Sequence, residues 1–397
     1  MTDTTESERG LLGLSGAQAP PPAGRAGLSD RLPRPWMFPL LAFAAAWVLI
    51  LVAWQVASAI YGPMSWERYF WYDDSGYYGA LARYGYGSAD PAVPGSHPTR
   101  AAFFPLYPAL IRLMMFVTGN VIVAGLVVQV LVGAASAVAV WSLASHVYGH
   151  RVADRAVLLY CAFPGAFVLG IMYSDPLAIV LAASCLLAVL RRRWLLAGLL
   201  ALLAGATHAT MIVLTPVLAA AAAQAIWTRR DWRALLAPAL APLGLLAFVA
   251  AVAPMFHDYL FLFHLERQGW NVHVDYGARE LQVLTWTFPG TRLYPWQFAL
   301  LAAMFWITLT GIALLIAARA PWPITLYTTL VFISCAISTP SGLLPRYTLT
   351  TIGIFLGYAA RLPGWLYWPA LALSAGLMAL LAGYYPTHLH ALPHWPP

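Results

Sequence analysis

The amino-acid sequence predicts an all-α polytopic membrane protein of about eleven transmembrane helices, and three observations predict it. Only 9% of the 397 residues are charged, against about 25% in soluble domains. Hydrophobic residues make up 61% of the chain, and the mean hydropathy is +0.70. Apolar runs of roughly 18 to 25 residues recur along the sequence, each long enough to cross about 30 Å of hydrocarbon.

Taken in order, residues 1–35 are rich in Pro, Gly and Ser and include Ala19-Pro20-Pro21-Pro22. They read as a disordered cytoplasmic tail. Such a tail ahead of the first apolar run does not resemble a signal peptide. The membrane domain then occupies 36–397, with apolar segments at 36–60, 119–146, 156–172, 176–190, 194–206, 209–227, 234–253, 298–317, 322–338, 347–360 and 365–384. The run 103–118 is either a short span or a helix lying on the membrane surface. Arginine placement decides between the two. With the tail inside, a surface helix at 103–118 puts Arg151, Arg155, Arg191, Arg192, Arg193, Arg229, Arg230, Arg233, Arg319 and Arg361 on the cytoplasmic side, as the positive-inside rule requires. Two outer loops follow, 61–118 with interfacial helices and 254–297.

The net charge of +7 comes entirely from arginines, many of them clustered between apolar runs where they set topology. It gives no reason to expect nucleic acid. Cys161, Cys185 and Cys335 lie inside apolar runs without CxxC spacing, and read as packing residues. No P-loop, GxGxxG or HxxEH is present, so neither a nucleotide cofactor nor a metal is expected. His257, His264 and His273, with Asp258, Glu266 and Asp275, read as scattered residues of the second outer loop.

The polar residues that look out of place all fall on the outer side in this topology. Asp73 and Asp74 sit among Tyr69, Phe70, Trp71, Tyr72, Tyr77 and Tyr78. As a plain loop pair they would cap a helix beginning near Ser75-Gly76. Aromatic rings, however, suit both the membrane interface and sugar stacking, and a partly desolvated carboxylate among them would gain basicity. Asp175, in Tyr173-Ser174-Asp175-Pro176, lies at the junction of two spans. It is a functional candidate by its position and also a candidate helix cap. Arg346 follows the turn Pro340-Ser341-Gly342-Leu343-Leu344-Pro345; it could clamp a phosphate bidentately or snorkel to lipid headgroups. His208, in Thr207-His208-Ala209-Thr210, could donate to a phosphate or cap a turn.

In this order the features resemble the bacterial relatives of the GPI mannosyltransferase II (PIG-V) family, polytopic enzymes of the GT-C superfamily. That family carries RWDxxWYxxIAxxGY followed by AFFPLYP. Here the run from Tyr72-Asp73-Asp74 to Gly85-Tyr86 is followed by Ala102-Phe103-Phe104-Pro105-Leu106-Tyr107-Pro108. Asp74 falls at the motif aspartate. The family's FP…YSE element is similar to Phe163-Pro164 through Tyr173-Ser174-Asp175, and its RY element to Arg346-Tyr347. Tyr72-Asp73 replaces the motif's Arg-Trp, Asp175 stands where Glu is usual, and His208 falls where the family has an arginine.

The resemblance implies a GT-C-type fold and transfer of mannose or a similar sugar from a polyprenyl-phosphate donor on the extracytoplasmic side. The acceptor hydroxyl would belong to a glycan, lipid or protein. Asp74 or Asp73 would deprotonate it, giving inversion at the anomeric carbon. Arg346 and His208 would meet the departing lipid phosphate, with Asp175, Tyr77, Tyr78 and Tyr347 in support. The lipid tail would reach the site laterally, in contact with membrane lipids, and no metal or other cofactor is required. A transporter or flippase of lipid-linked sugars would instead need ionisable groups at midspan. A non-catalytic membrane assembly subunit is the remaining alternative.

Overall fold

A computed structural model describes residues 27–71, 73–86, 98–285, 295–339 and 343–388. The described chain is almost wholly helical, and each of the eleven apolar runs of the sequence contains a helix. The helices are α1 (Met37–Tyr61), α2 (Trp66–Phe70), α3 (Asp74–Tyr84), α4 (Leu106–Thr118), α5 (Val121–Tyr148), α6 (His150–Cys161), α7 (Asp175–Leu190), α8 (Trp194–Gly205), α9 (Ala209–Arg229), α10 (Trp232–Phe256), α11 (Phe261–Trp270), α12 (Ala278–Thr285), α13 (Pro295–Ala317), α14 (Trp322–Ala336), α15 (Pro345–Leu349), α16 (Gly353–Arg361) and α17 (Gly364–His388). One two-residue antiparallel pair, β1 (His273–Val274) with β2 (Ser338–Thr339), is an addition that the apolar pattern did not signal.

Length divides the spans into two kinds. Among the described residues, six helices are long and apolar enough to cross a bilayer, and seven if α6 and the 3-10 turn Pro164–Gly170 count as one span bent by 77°. The sequence expectation of about eleven therefore includes α7, α8, α14 and α16, which have 16, 12, 15 and 9 residues. Their brevity has a positional consequence. Each ends at an irregular connector, and irregular backbone at membrane depth is tolerated only where protein or a water-filled cavity surrounds it.

α5 is the hub, packing on α1, α4, α6 and α7, while α13 packs on α16 and α17 on α1. Its inner face carries Gln129, fully buried, which accepts from Tyr107 Oη at 2.6 Å and donates to the Val168 carbonyl at 2.7 Å. A buried amide needs both partners, so this bridge ties α4 to the bent 3-10 segment. The expected tail 1–35 is described only from residue 27. There Ser29–Arg31 forms a 3-10 turn, with the Ser29 amide donating to Asp154 at 2.8 Å and Asp30 meeting His150 at 2.6 Å.

Two glycines set close approaches that matter for the site. A Cβ on Gly165, in the 3-10 segment, would overlap the Pro345 carbonyl and crowd the Arg346 amide. The backbone that carries Arg346 is thus laid directly on Gly165. Substitution Gly165→Ala is expected to cost about 1–3 kcal/mol through overpacking and to shift Arg346. A lowered melting temperature would bear this out, and an unchanged melt would refute the contact. Likewise a Cβ on Gly79 would run into the Trp71 ring, which lies across α3 beside Gly76 and Gly79.

Candidate active site

The site is assembled where α3, the 171–175 connector, the 207–208 turn, α11 and α15 converge. Asp73 occupies the position ahead of α3 with φ 54° and ψ −122°. A non-glycine residue there is strained, at a typical cost of about 1–3 kcal/mol, and strain of this kind persists only where its surroundings over-determine it. Here the surroundings are the Trp71 indole packed along α3, the amide of Gly76 donating to the Asp73 carbonyl at 2.9 Å, and the hydroxyl of Tyr173 bonded to the Asp73 carboxylate. The sequence expectation of a capping aspartate is not met, since the Asp73 side chain makes no cap bond.

The two neighbouring carboxylates have different environments. Asp74 is buried and accepts from Arg346 Nη1 at 2.6 Å, an ion pair with side chains only 7% and 10% exposed. Asp73 is exposed to solvent yet enclosed by protein, and no arginine pairs with it among the described residues. The protein around it and, less strongly, the charge of Asp74 push its pKa up to about 7, against the pull of Arg346 and the Tyr173 bond. Solvent reaches the one carboxylate that is not committed to a cation.

Arg346 is held on three sides. Its Nη2 donates to Tyr347 Oη at 2.7 Å, and its guanidinium lies 4.6 Å from the Tyr347 ring centroid and 5.2 Å from that of Tyr173. Its Nε is buried and has no partner among the described residues. Asp175 Oδ1 is likewise buried without a partner. Ser174, not Asp175, takes the capping position of α7, with Pro176 behind it in the first turn. The Ser174 hydroxyl instead meets Tyr78 Oη at 2.6 Å. The FP…YSD stretch therefore contributes all three of its last residues: Tyr173 to Asp73 and Arg346, Ser174 to Tyr78, and Asp175 to the electrostatics of Arg346 and His208.

His208 caps the 3-10 start of α9, its Nδ1 accepting from the Thr210 amide at 3.3 Å. The ring proton is then on Nε2. Burial lowers its pKa and Arg346 lowers it too, while Asp175 pulls the other way. His208 is neutral at pH 7, so it can donate one hydrogen bond but supplies no charge. Its ring centroid lies 6.3 Å from that of Tyr347.

Tyr77 faces a different wall. It stacks on Phe103 at 4.7 Å, and both meet Trp270 of α11 edge-on at 5.9 and 5.7 Å. That helix also brings Glu266, whose charge is felt by Asp74, Arg346 and Tyr347. Residue type and position alone do not distinguish Glu266 from the scattered polar residues of its loop. The available signal is the ten-residue amphipathic run Phe261–Trp270, which places Glu266 and Trp270 four apart on one face. On α12, Glu280 is buried; its Oε1 accepts from the Leu343 amide at 3.0 Å. Of the candidate residues named from the sequence, Asp73, Asp74, Asp175, His208, Arg346, Tyr78 and Tyr347 are brought together, while Tyr77 turns to Phe103 and Trp270. Tyr72 lies outside the described residues.

Comparison with known proteins bears on the fold. The family model described as dolichyl-phosphate-mannose-protein mannosyltransferase matches residues 96–257, less than half of the chain. No curated protein matches significantly. The structure is similar to that of ArnT from Cupriavidus metallidurans bound to undecaprenyl phosphate, with TM-score 0.54 and 16% identity, covering 89% of this chain and 78% of that one. It also aligns with the archaeal oligosaccharyltransferase AglB from Archaeoglobus fulgidus, solved with an inhibitory peptide and a dolichol-phosphate, at TM-score 0.48 and 13% identity. That alignment covers 90% of this chain and 56% of the AglB chain.

The fold is therefore of the GT-C type, an all-α polytopic arrangement with short helices between its first long helix and α5. The chain is an integral membrane protein. Its GT-C character agrees with the motif resemblance.

Proposed function

We propose that this protein is a GT-C glycosyltransferase that moves a sugar from a polyprenyl-phosphate donor to an acceptor hydroxyl on the extracytoplasmic side. Mannose is the proposed sugar, on the strength of the matching mannosyltransferase family model and the PIG-V-like motifs. The undecaprenyl phosphate of ArnT supports the donor class. The observation that carries the reading is the pairing of opposites at one spot. An uncommitted carboxylate, Asp73, stands beside a buried guanidinium, Arg346, whose Nε also lacks a partner.

In this mechanism Asp73 takes the proton of the acceptor hydroxyl as its oxygen attacks the anomeric carbon. The bond from that carbon to the phosphate oxygen breaks, and its electron pair stays on the lipid phosphate. In-line displacement inverts the anomeric configuration. Arg346 meets the developing charge with Nε, and His208 Nε2–H donates to the same group. Motif spacing points to Asp74 as the base; its commitment to Arg346 supports giving that role to Asp73 and making Asp74 the guanidinium's resting partner. Tyr78 and Tyr347 hold the frame through Ser174 and Arg346. The ionisable groups gather at helix ends, which favours transfer over transport of the lipid.

The test is transfer of label from polyprenyl-phosphate mannose by the purified protein in detergent, with release of free mannose measured in parallel. Wild-type protein that neither transfers nor releases the sugar overturns the reading. Only the deprotonated Asp73 can accept a proton, so kcat/KM is expected to rise by about tenfold per pH unit below the base's pKa and to level off above it, with that pKa at about 7. The rising limb is expected to persist in Glu266→Gln, which removes the other carboxyl near the site whose pKa burial pushes up to about 7.

A further inference from the structure

Glu266 lies within reach of the charges of Asp74 and Arg346 and has no role in the chemistry above. It is half-buried, and its carboxyl makes no hydrogen bond among the described residues. On α11, Phe261 and Leu265 bury one face of the helix. The spacing of four residues puts Glu266 and Trp270 together on the neighbouring face. Trp270 is also half-buried and continues a wall of aromatic rings through Phe103 and Tyr77. Tyr77 lies four residues beyond Asp73, one turn along α3, so the wall leads from the proposed base to the free carboxyl.

The chemistry of that wall narrows what can lie against it. An anionic acceptor would meet Asp73, Asp74 and Glu266, while the cation acting on Glu266, Arg346, is already engaged by Asp74. An apolar acceptor would bury the Glu266 carboxyl without a partner, at a cost in binding. A sugar fits both halves. Its C–H face packs on aromatic rings, and its hydroxyls hydrogen-bond to the Glu266 carboxyl.

We infer that Glu266 and Trp270 form a carbohydrate subsite, so that the acceptor hydroxyl is presented on a neutral sugar. The inference rests on the glycosyl-transfer reading and extends it to the class of acceptor. Residues Asp73 and Arg346 act on the bond being made and broken; Glu266 and Trp270 hold the molecule that receives the sugar.

The experiment supplies purified protein with polyprenyl-phosphate mannose and three acceptors in turn: water alone, methyl α-mannoside, and a Ser/Thr-containing peptide. Transfer to the mannoside is expected. Its KM should rise by about tenfold in Glu266→Ala and in Trp270→Ala, the size expected for one lost hydrogen bond or stacking contact, while release of mannose to water stays near the wild-type rate. Melting temperatures verify folding, and Glu266→Gln carries the same comparison if Glu266→Ala melts early. Wild-type protein that releases mannose to water but passes none to the mannoside overturns the subsite and leaves the glycosyltransferase reading standing. Preference for the peptide, or a mannoside KM unmoved by both substitutions, overturns it equally. Failure of release and transfer together overturns the parent reading instead.

Discussion

Replacing Asp73 with asparagine is expected to lower sugar transfer by about 10²- to 10⁴-fold, the range typical of a lost general base. The fold should survive, because the side chain is exposed and asparagine is among the few residues that tolerate positive φ. Single-turnover transfer from labelled polyprenyl-phosphate mannose measures the loss, and a thermal melt checks the fold. Asp73→Gly separates strain from chemistry. Glycine relaxes the φ of 54° but offers no base, so activity should fall as far as in the asparagine variant. If Asp73→Asn turns over normally while Asp74→Asn is dead, the base is Asp74, where the motif spacing places it. If both retain wild-type turnover, the aspartate pair leaves the mechanism altogether.

The second large effect is on stability. Asp74→Ala removes the partner of a guanidinium whose side chain is 10% exposed. Leaving such a charge uncompensated typically costs about 3–5 kcal/mol. Arg346→Ala leaves the Asp74 carboxylate in the same position and should cost a similar amount. The double variant removes both charges, so its loss is expected to be clearly smaller than the sum of the two. That non-additivity is the diagnostic. Melting of the three variants in one detergent measures it, and simple additivity would mean the pair makes no linked contribution. The same geometry bears on donor binding. A phosphate arriving at Nε of Arg346 brings its charge beside that of Asp74, so Asp74→Asn should bind the donor at least as tightly as wild type while melting earlier.

How much of this was legible in the sequence depends on what kind of signal each part leaves. Apolar runs locate the helices, because burial in lipid leaves a composition signal at every position. Their lengths mislead about continuity. The run 156–172 reads as one span, yet Pro164 and the Gly165 contact with Pro345 break it into α6 and a 3-10 segment. The cluster of Asp73, Asp74, Asp175, His208 and Arg346 was legible because each is a polar group at a span boundary. Their division of labour was not. It depends on which carboxylate meets a cation 272 positions away, and on a backbone angle that no residue pattern announces. Glu266 escapes a reading of residue types for the opposite reason. A single glutamate in a polar loop is ordinary, and only the packing of α11 through Phe261 and Leu265 turns it towards the site.

The smallest regular element has the widest mechanical reach. Pairing of His273 with Thr339 and of Val274 with Ser338 ties the chain just beyond α11 to the chain just before α15, and the Glu280 bond to the Leu343 amide repeats the tie. On the proposed reading, the segment bearing the acceptor wall and the segment bearing Arg346 are thus joined through backbone hydrogen bonds. Displacement of one segment would be felt at the other, so donor and acceptor binding are expected to be coupled through backbone.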